Sequence, residues 1–204
     1  MVGLIIKDMM NLKKQILIYV FFIIFYGIFS FANGNDQLFW FAIIIIGIMT
    51  PITSIAFDER VKWDKFALTM PIKRKDLVLS KYILSYMTVL LSILVYLIYL
   101  LVLGRTIDQK LLFTTGGIVA ICILYQSIFL PIIFNFGTEK GRIIFFIGCA
   151  VPYILVYLTN KTNFLKAPSQ ELIDFLPVIV SVGTVVISIL SIMISNKIYK
   201  KKDF

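Results

Sequence analysis

Residues Gln15–Ala32 read QILIYVFFIIFYGIFSFA, eighteen in a row without a charge. An α-helix rises about 1.5 Å per residue, so roughly 20 apolar residues cross a hydrocarbon core of ~30 Å. Five further windows pass the same test: Leu38–Phe57, Ser80–Leu103, Leu111–Phe136, Ile143–Thr159 and Phe175–Ser195. Charged residues keep out of the centre of every window, as the cost of burying charge in hydrocarbon requires. The sequence therefore predicts an all-α integral membrane protein, a six-helix bundle forming one transmembrane domain over residues 1–204.

Composition agrees. Of the 204 residues 60% are hydrophobic and 15% charged, whereas soluble domains carry about 25% charged residues. Histidine is absent, which removes His-based zinc sites, Ser-His and Cys-His triads and the HExxH motif together. Cys122 and Cys149 lie inside apolar runs at different expected depths, without metal-ligand spacing, and read as small buried hydrophobes. No metal site is expected. The first apolar run is too long for the core of a signal peptide and no small-residue cleavage site follows it, so it is expected to stay as a membrane anchor.

Lysine and arginine set the orientation. With the N-terminus inside, sixteen of the twenty fall on cytoplasmic segments. Only Arg105, Lys110, Lys161 and Lys166 fall outside. The positive-inside rule then places both ends in the cytoplasm. The net charge of +9 is mostly this topology signal. Nucleic-acid binding is not expected, because no soluble domain exists to present a basic face.

Before the first span, residues 1–14 form an amphipathic segment. Val2, Ile5, Ile6, Met9, Met10 and Leu12 gather on one arc, with Gly3, Lys7, Asp8, Asn11 and Lys14 on the other. Leu4 and Lys13 break the pattern. A basic amphipathic helix beside a span is expected to lie in the membrane interface.

Two connections are longer than the rest. Residues 58–79 read DERVKWDKFALTMPIKRKDLVL. Trp63, Phe66, Ala67 and Met70 are spaced as one face of a short helix. Thr69-Met70-Pro71 ends it, since the residue before proline is pushed out of the helical region. A second helix then starts near Lys73–Asp76 and enters the third span. Exposed aromatics here suit docking on another protein. They equally suit a loop anchored at the membrane interface, where Trp is enriched.

At this loop the chain resembles the ABC-2 type permeases, the membrane subunits of ATP-binding-cassette exporters. The resemblance rests on Phe57–Arg60, Trp63-Asp64-Lys65, MPIKRKDLVLSKY at Met70–Tyr82 and LPIIFNFGTEKGR at Leu130–Arg142. The last motif is similar to the turn of a small-permease branch that includes phenol-soluble modulin exporters. Lys73 departs from the pattern, which has Ser or Thr there, and this removes a side-chain cap for the third span.

The resemblance implies an ABC-2, type V exporter-like transmembrane domain in a bacterial plasma membrane. It implies a partner ATPase subunit that binds ATP and Mg, leaving this chain without a cofactor and without catalytic residues. Accordingly no G-x-x-x-x-G-K-[ST] loop is present; Gly137–Gly141 has the wrong spacing. The implied contact with the ATPase uses Asp58, Glu59, Trp63, Asp64, Phe66, Met70, Pro71, Lys73, Arg74 and Lys75. Apart from that contact, Gly137, Glu139, Lys140 and Arg142 mark a second cytoplasmic turn. A second permease copy, identical or related, is also implied, because twelve spans can share a central cleft. So is a short outer helix between the last two spans, for which Ser169 is a suitable cap and Glu171 suits the first turn. An ordinary outer loop joined to the last span is the alternative.

Pro51, Pro131, Pro152 and Pro177 lie in or at the ends of spans, where each removes a backbone donor and permits a hinge. The interior is expected to be almost wholly apolar, with no buried acid or base to relay protons or bind an ion. An aromatic path through Phe39, Phe41, Phe145, Phe146 and Tyr153 suits amphipathic peptides or hydrophobic cargo, although such rings also face lipid. An intramembrane enzyme is excluded by the missing histidine and paired carboxylates. A membrane immunity or sensor subunit, which moves no cargo, is the remaining rival.

Overall fold

The structure, a computed structural model, describes residues 2–13, 15–34, 36–104, 109–144, 147–148 and 170–202. Within these, the side chains at 36–37, 41, 109–110, 112–114 and 170–179 are outside the description. The helices are α1 Val2–Lys13, α2 Ile16–Asn33, α3 Asp36–Arg60, α4 Trp63–Ala67, α5 Arg74–Val102, α6 Gln109–Phe136 and α7 Gln170–Lys201. Residues 138–144 are also helical. Among the described residues no strand occurs, and five helices are long and apolar enough to cross a membrane: α2, α3, α5, α6 and α7. Five of the expected spans thus match to within a turn or two at their ends. The other, Ile143–Thr159, lies almost wholly outside the described residues, as does Pro152. The chain is a multi-pass membrane protein.

Local chemistry sets the helix ends. Gly34, at φ +62°, closes α2 and returns its N–H to Phe31 O at 3.2 Å, a left-handed closure that suits glycine. Lys73 is extended at the N-cap of α5 and makes no side-chain capping bond, as its departure from Ser or Thr implies. Asp76 supplies negative charge in the first turn instead. Gln170–Asp174 run without a break into the last span, so this part of the outer stretch belongs to α7. Ser169, the expected cap of a separate outer helix within 160–174, lies outside the described residues, while Glu171, expected in that helix's first turn, lies in α7.

α3 packs most closely on α5, and α6 on α7. Ser191 bonds to Ser127, and Tyr199 meets Phe134 edge to face at 5.9 Å. Both contacts advance in the same sense along the two helices, so α6 and α7 run parallel. α2 is the outlier: only 6% of its apolar window is buried. Phe21, Phe25 and Phe29 stack down its open side at 6.2 and 6.3 Å between ring centres. In hydrocarbon no hydrophobic gain draws helices together, so such a span can stay lipid-facing without cost.

Two expectations are corrected. The interior is not almost wholly apolar, since Ser54, Ser80, Ser85, Gln126, Ser127, Ser191 and Ser195 are all buried. Small hydroxyls permit close helix approach; Ser54, Gln126, Ser191 and Ser195 bond across helices, whereas Ser80 bonds back to Leu77 O of its own helix. Nor is buried charge missing: Asp8, Asp58 and Lys81 are each buried. On α1 most of the expected apolar arc stays outside the protein, while Asp8 leaves the expected polar arc. Leu4, Asp8 and Leu12 face inward, while Val2, Ile6, Met9 and Met10 are exposed. Leu4, which broke the apolar arc, is on the packed face because i, i+4, i+8 follows one side of the helix.

Candidate functional site: a charged junction beside the α3–α5 connection

α1, the end of α3 and the start of α5 converge on four charges. Asp8 Oδ1 accepts from Lys81 at 2.8 Å and is ion-paired with Lys7 at 3.0 Å. Asp58 accepts from Lys7 on Oδ1 at 2.6 Å, and its Oδ2 is ion-paired with Lys81 at 2.5 Å. The result is a closed ring of alternating sign: Asp8, Lys81, Asp58, Lys7. Lys81 donates further to Ser54 Oγ at 2.9 Å. The ring is neutral overall, which makes its burial tolerable; charge-assisted bonds at these distances offset part of the desolvation. Lys7 also lies 4.4 Å from the centre of the Trp63 ring, within cation–π range. The ring therefore joins the first helix to both ends of the loop segment and to the tryptophan within it.

A second contact joins the two connecting segments. Glu59 Oε2 accepts from Thr138 N at 2.9 Å and from Thr138 Oγ1 at 2.5 Å. A carboxylate at the first residues of the 138–144 helix satisfies a donor that would otherwise be orphaned. The Gly-rich motif now has a physical reason. Gly137 turns at φ +83°, and a Cβ there would meet Glu59 Oε1 at 3.4 Å. A Cβ on Gly141 would meet Ile133 at 2.7 Å, so glycine lets the returning chain lie against α6. An open polar cavity of about 630 Å³ lies alongside, lined by Gln15, Arg60, Glu139 and Arg142 among others.

A third contact uses Arg74. Its guanidinium donates to the carbonyls of Tyr199, Lys200 and Lys202 at 3.3, 2.8 and 3.1 Å. It supplies positive charge to the unsatisfied C-terminal end of α7. Lys202 Nζ reaches Phe134 O at 3.4 Å. The start of the chain, the α3–α5 connection, the turn after α6 and the end of α7 thus lie at one end of the bundle.

The residues expected to contact an ATPase subunit divide into two sets. Asp58, Glu59 and Arg74 are engaged within the fold, as described. Trp63 is half-buried against the core and Ala67 is fully buried. Phe66 and Met70 are exposed, together with Pro71, Lys73 and Lys75, and Asp64 is intermediate. The four-residue helical face is therefore split, with its first and third members packed inward. α4 ends at Ala67 and a turn carries the chain through Pro71. In the second turn Glu139, Lys140 and Arg142 are exposed.

Of the aromatic path, Phe39 is buried, with its ring 4.0 Å from that of Tyr99, in a cluster with Trp40, Ile43, Tyr96 and Leu100. The side chains of Phe41, Phe145, Phe146 and Tyr153 lie outside the description. Sequence reasoning missed Asp8, Ser54, Lys81 and Thr138 as site residues. An acid among lysines on a helix whose Leu4 and Leu12 share its face was the readable sign for Asp8.

A family model described as ABC-2 family transporter protein matches residues 3–200. No curated protein and no solved structure matches the chain.

Proposed function

Because the chain belongs to the ABC-2 family of transporters, we propose that it is the permease subunit of an ATP-driven exporter and couples to a separate ATP-binding-cassette subunit. The observation that carries this reading is the α3–α5 connection. Its two ends are fixed by the charged ring, and between them Phe66 on the short helix α4 and Met70 in the turn that follows stand exposed. A rigidly mounted apolar knob is what a partner needs in order to push on the spans. Nucleotide and Mg are handled by that partner, and this chain supplies the passage.

The same reading places the junction end in the cytoplasm, in accord with the basic residues, in a bacterial plasma membrane. It also calls for a sixth crossing. α6 and α7 are parallel neighbours, so the chain leaves one at the junction and enters the other at the far end. Ile143–Thr159 is the stretch assigned to that return. Two copies of the permease then flank a shared cleft, and the N-terminal helix lies in the interface with Val2, Ile6, Met9 and Met10 in lipid. Amphipathic peptides or hydrophobic compounds are the assigned cargo, moved outward by alternating access.

The test uses the tagged chain purified from its native membranes. Phe66→Ala with Met70→Ala is expected to lose co-purifying ATPase activity while the chain's own thermal stability is kept. Undiminished ATPase recovery would end the docking assignment. With the complex in hand, stimulation of its ATPase is expected from amphipathic peptides and not from sugars; a response to sugars alone would overturn the cargo class.

A further inference from the structure

Pro51 and Pro131 lie inside α3 and α6. Proline has no N–H, so each leaves the carbonyl four residues earlier without its helical donor. Those carbonyls belong to Gly47 and Ser127. Both are met by side chains from neighbouring helices. Gly47 O accepts from Gln126 Nε2 of α6 at 3.2 Å and from Thr88 Oγ1 of α5 at 3.2 Å. Thr88 divides its single proton between this oxygen and Ser85 O at 2.8 Å. Ser127 O accepts from Ser191 Oγ of α7.

The second capture continues as a directed chain. Tyr82 Oη lies 2.5 Å from Ser191 Oγ and 2.8 Å from Ser195 Oγ. Ser191 has given its only proton to Ser127 O, so Tyr82 must donate to Ser191. Tyr82 has then used its own proton, so Ser195 must donate to Tyr82. Two serine protons and one tyrosine proton thus run in series to the Ser127 carbonyl, through α7 and α5. Lys81, the neighbour of Tyr82, belongs to the charged ring.

We propose that these two captured carbonyls are paired hinge clasps: α3 bends at Pro51 and α6 at Pro131 when the cross-helix donors let go. Closed, the clasps tie α3 to α5 and α6, and α6 to α7 and α5. Gly47 favours the first, because a Cβ there would lie 2.9 Å from Ser92 Oγ and turn that hydroxyl away from its bond to Thr88 O. A displacement of α5 at Lys81 moves Tyr82 with it and weakens the second clasp. In hydrocarbon no water replaces a lost donor, so each clasp has two discrete states, made or broken.

A double-mutant cycle tests this on the full chain in lipid nanodiscs. Ser191→Ala is expected to lower the unfolding midpoint by several degrees and to speed amide exchange in the turn around residue 131. Pro131→Ala restores a backbone donor to Ser127 O, so Ser191→Ala added to it is expected to change both clearly less, leaving only the loss of Tyr82's acceptor. Equal effects of Ser191→Ala in both backgrounds would overturn the clasp. If Ser191→Ala does not fold, Gln126→Leu with and without Pro51→Ala runs the same cycle on the other hinge, and the same outcomes decide it. Spin labels at Ile121 and Glu139, with Cys122→Ala and Cys149→Ala, read the bend directly. Two distance populations in the parent are expected to collapse to one in Pro131→Ala; an unchanged distribution would overturn the hinge.

Discussion

Asp8 is fully buried and pairs with a lysine 73 residues later in the chain. Removing one member of such a ring leaves its partners uncompensated, which costs about 3–5 kcal/mol. Lys81→Met is expected to lose stability on that order, since Asp8 and Asp58 would then share Lys7. Lys81→Met combined with Asp8→Asn keeps the Lys7–Asp58 pair and is expected to recover most of the loss. Thermal unfolding in detergent compares the two; a larger, additive loss in the double variant would mean that the ring members act independently. Little of this was legible in sequence. A helical wheel sorts residues by polarity, and it assigned Asp8 to the water-facing arc with Lys7. What places Asp8 inside is the position of Asp58 and Lys81, and no local pattern carries a pairing across 51 or 73 residues. Trp63 and Phe66 were readable as one face, yet only the packing of α4 separates the inward ring from the outward one.

At the level of elements the reading went further. Spans announce themselves by length and by the exclusion of charge, and five were found within a turn or two of their ends. Proline positions pointed to freed carbonyls, and the structure supplies their captors. The serine-rich interior was not read, because serine in a span is compatible with lipid contact, a helix seam or a self-satisfied bond to its own carbonyl. Helix ends show the same limit. Arg74 was legible as a surface cation, whereas its place on the last carbonyls of α7 depends on two helices meeting. Arg74→Ala is expected to fray the final turn of α7, at a cost of about 0.3–1 kcal/mol. Amide exchange at residues 196–202 measures it; unchanged protection there would show that α7 ends without Arg74.

For the molecule as a whole, the contacts put the N-terminal helix, the α3–α5 connection and the end of α7 at one end of the bundle. Cysteines at Val61 and Lys75 are therefore expected to react with a membrane-impermeant maleimide only in inverted vesicles, and a cysteine at Gly34 only in intact cells. Labelling of Val61 from outside would reverse the orientation and detach the ATPase reading from it. The stacking of Lys7 on Trp63 has one more consequence. The chain contains two tryptophans, and Trp40 is sealed among aromatic side chains. Replacing Trp40 with Phe leaves a single tryptophan, at the joint, which can be excited selectively over the ten tyrosines, its indole already perturbed by a neighbouring ammonium. Its emission colour and its quenching by iodide would then report each opening of the joint in real time, without a dye attached.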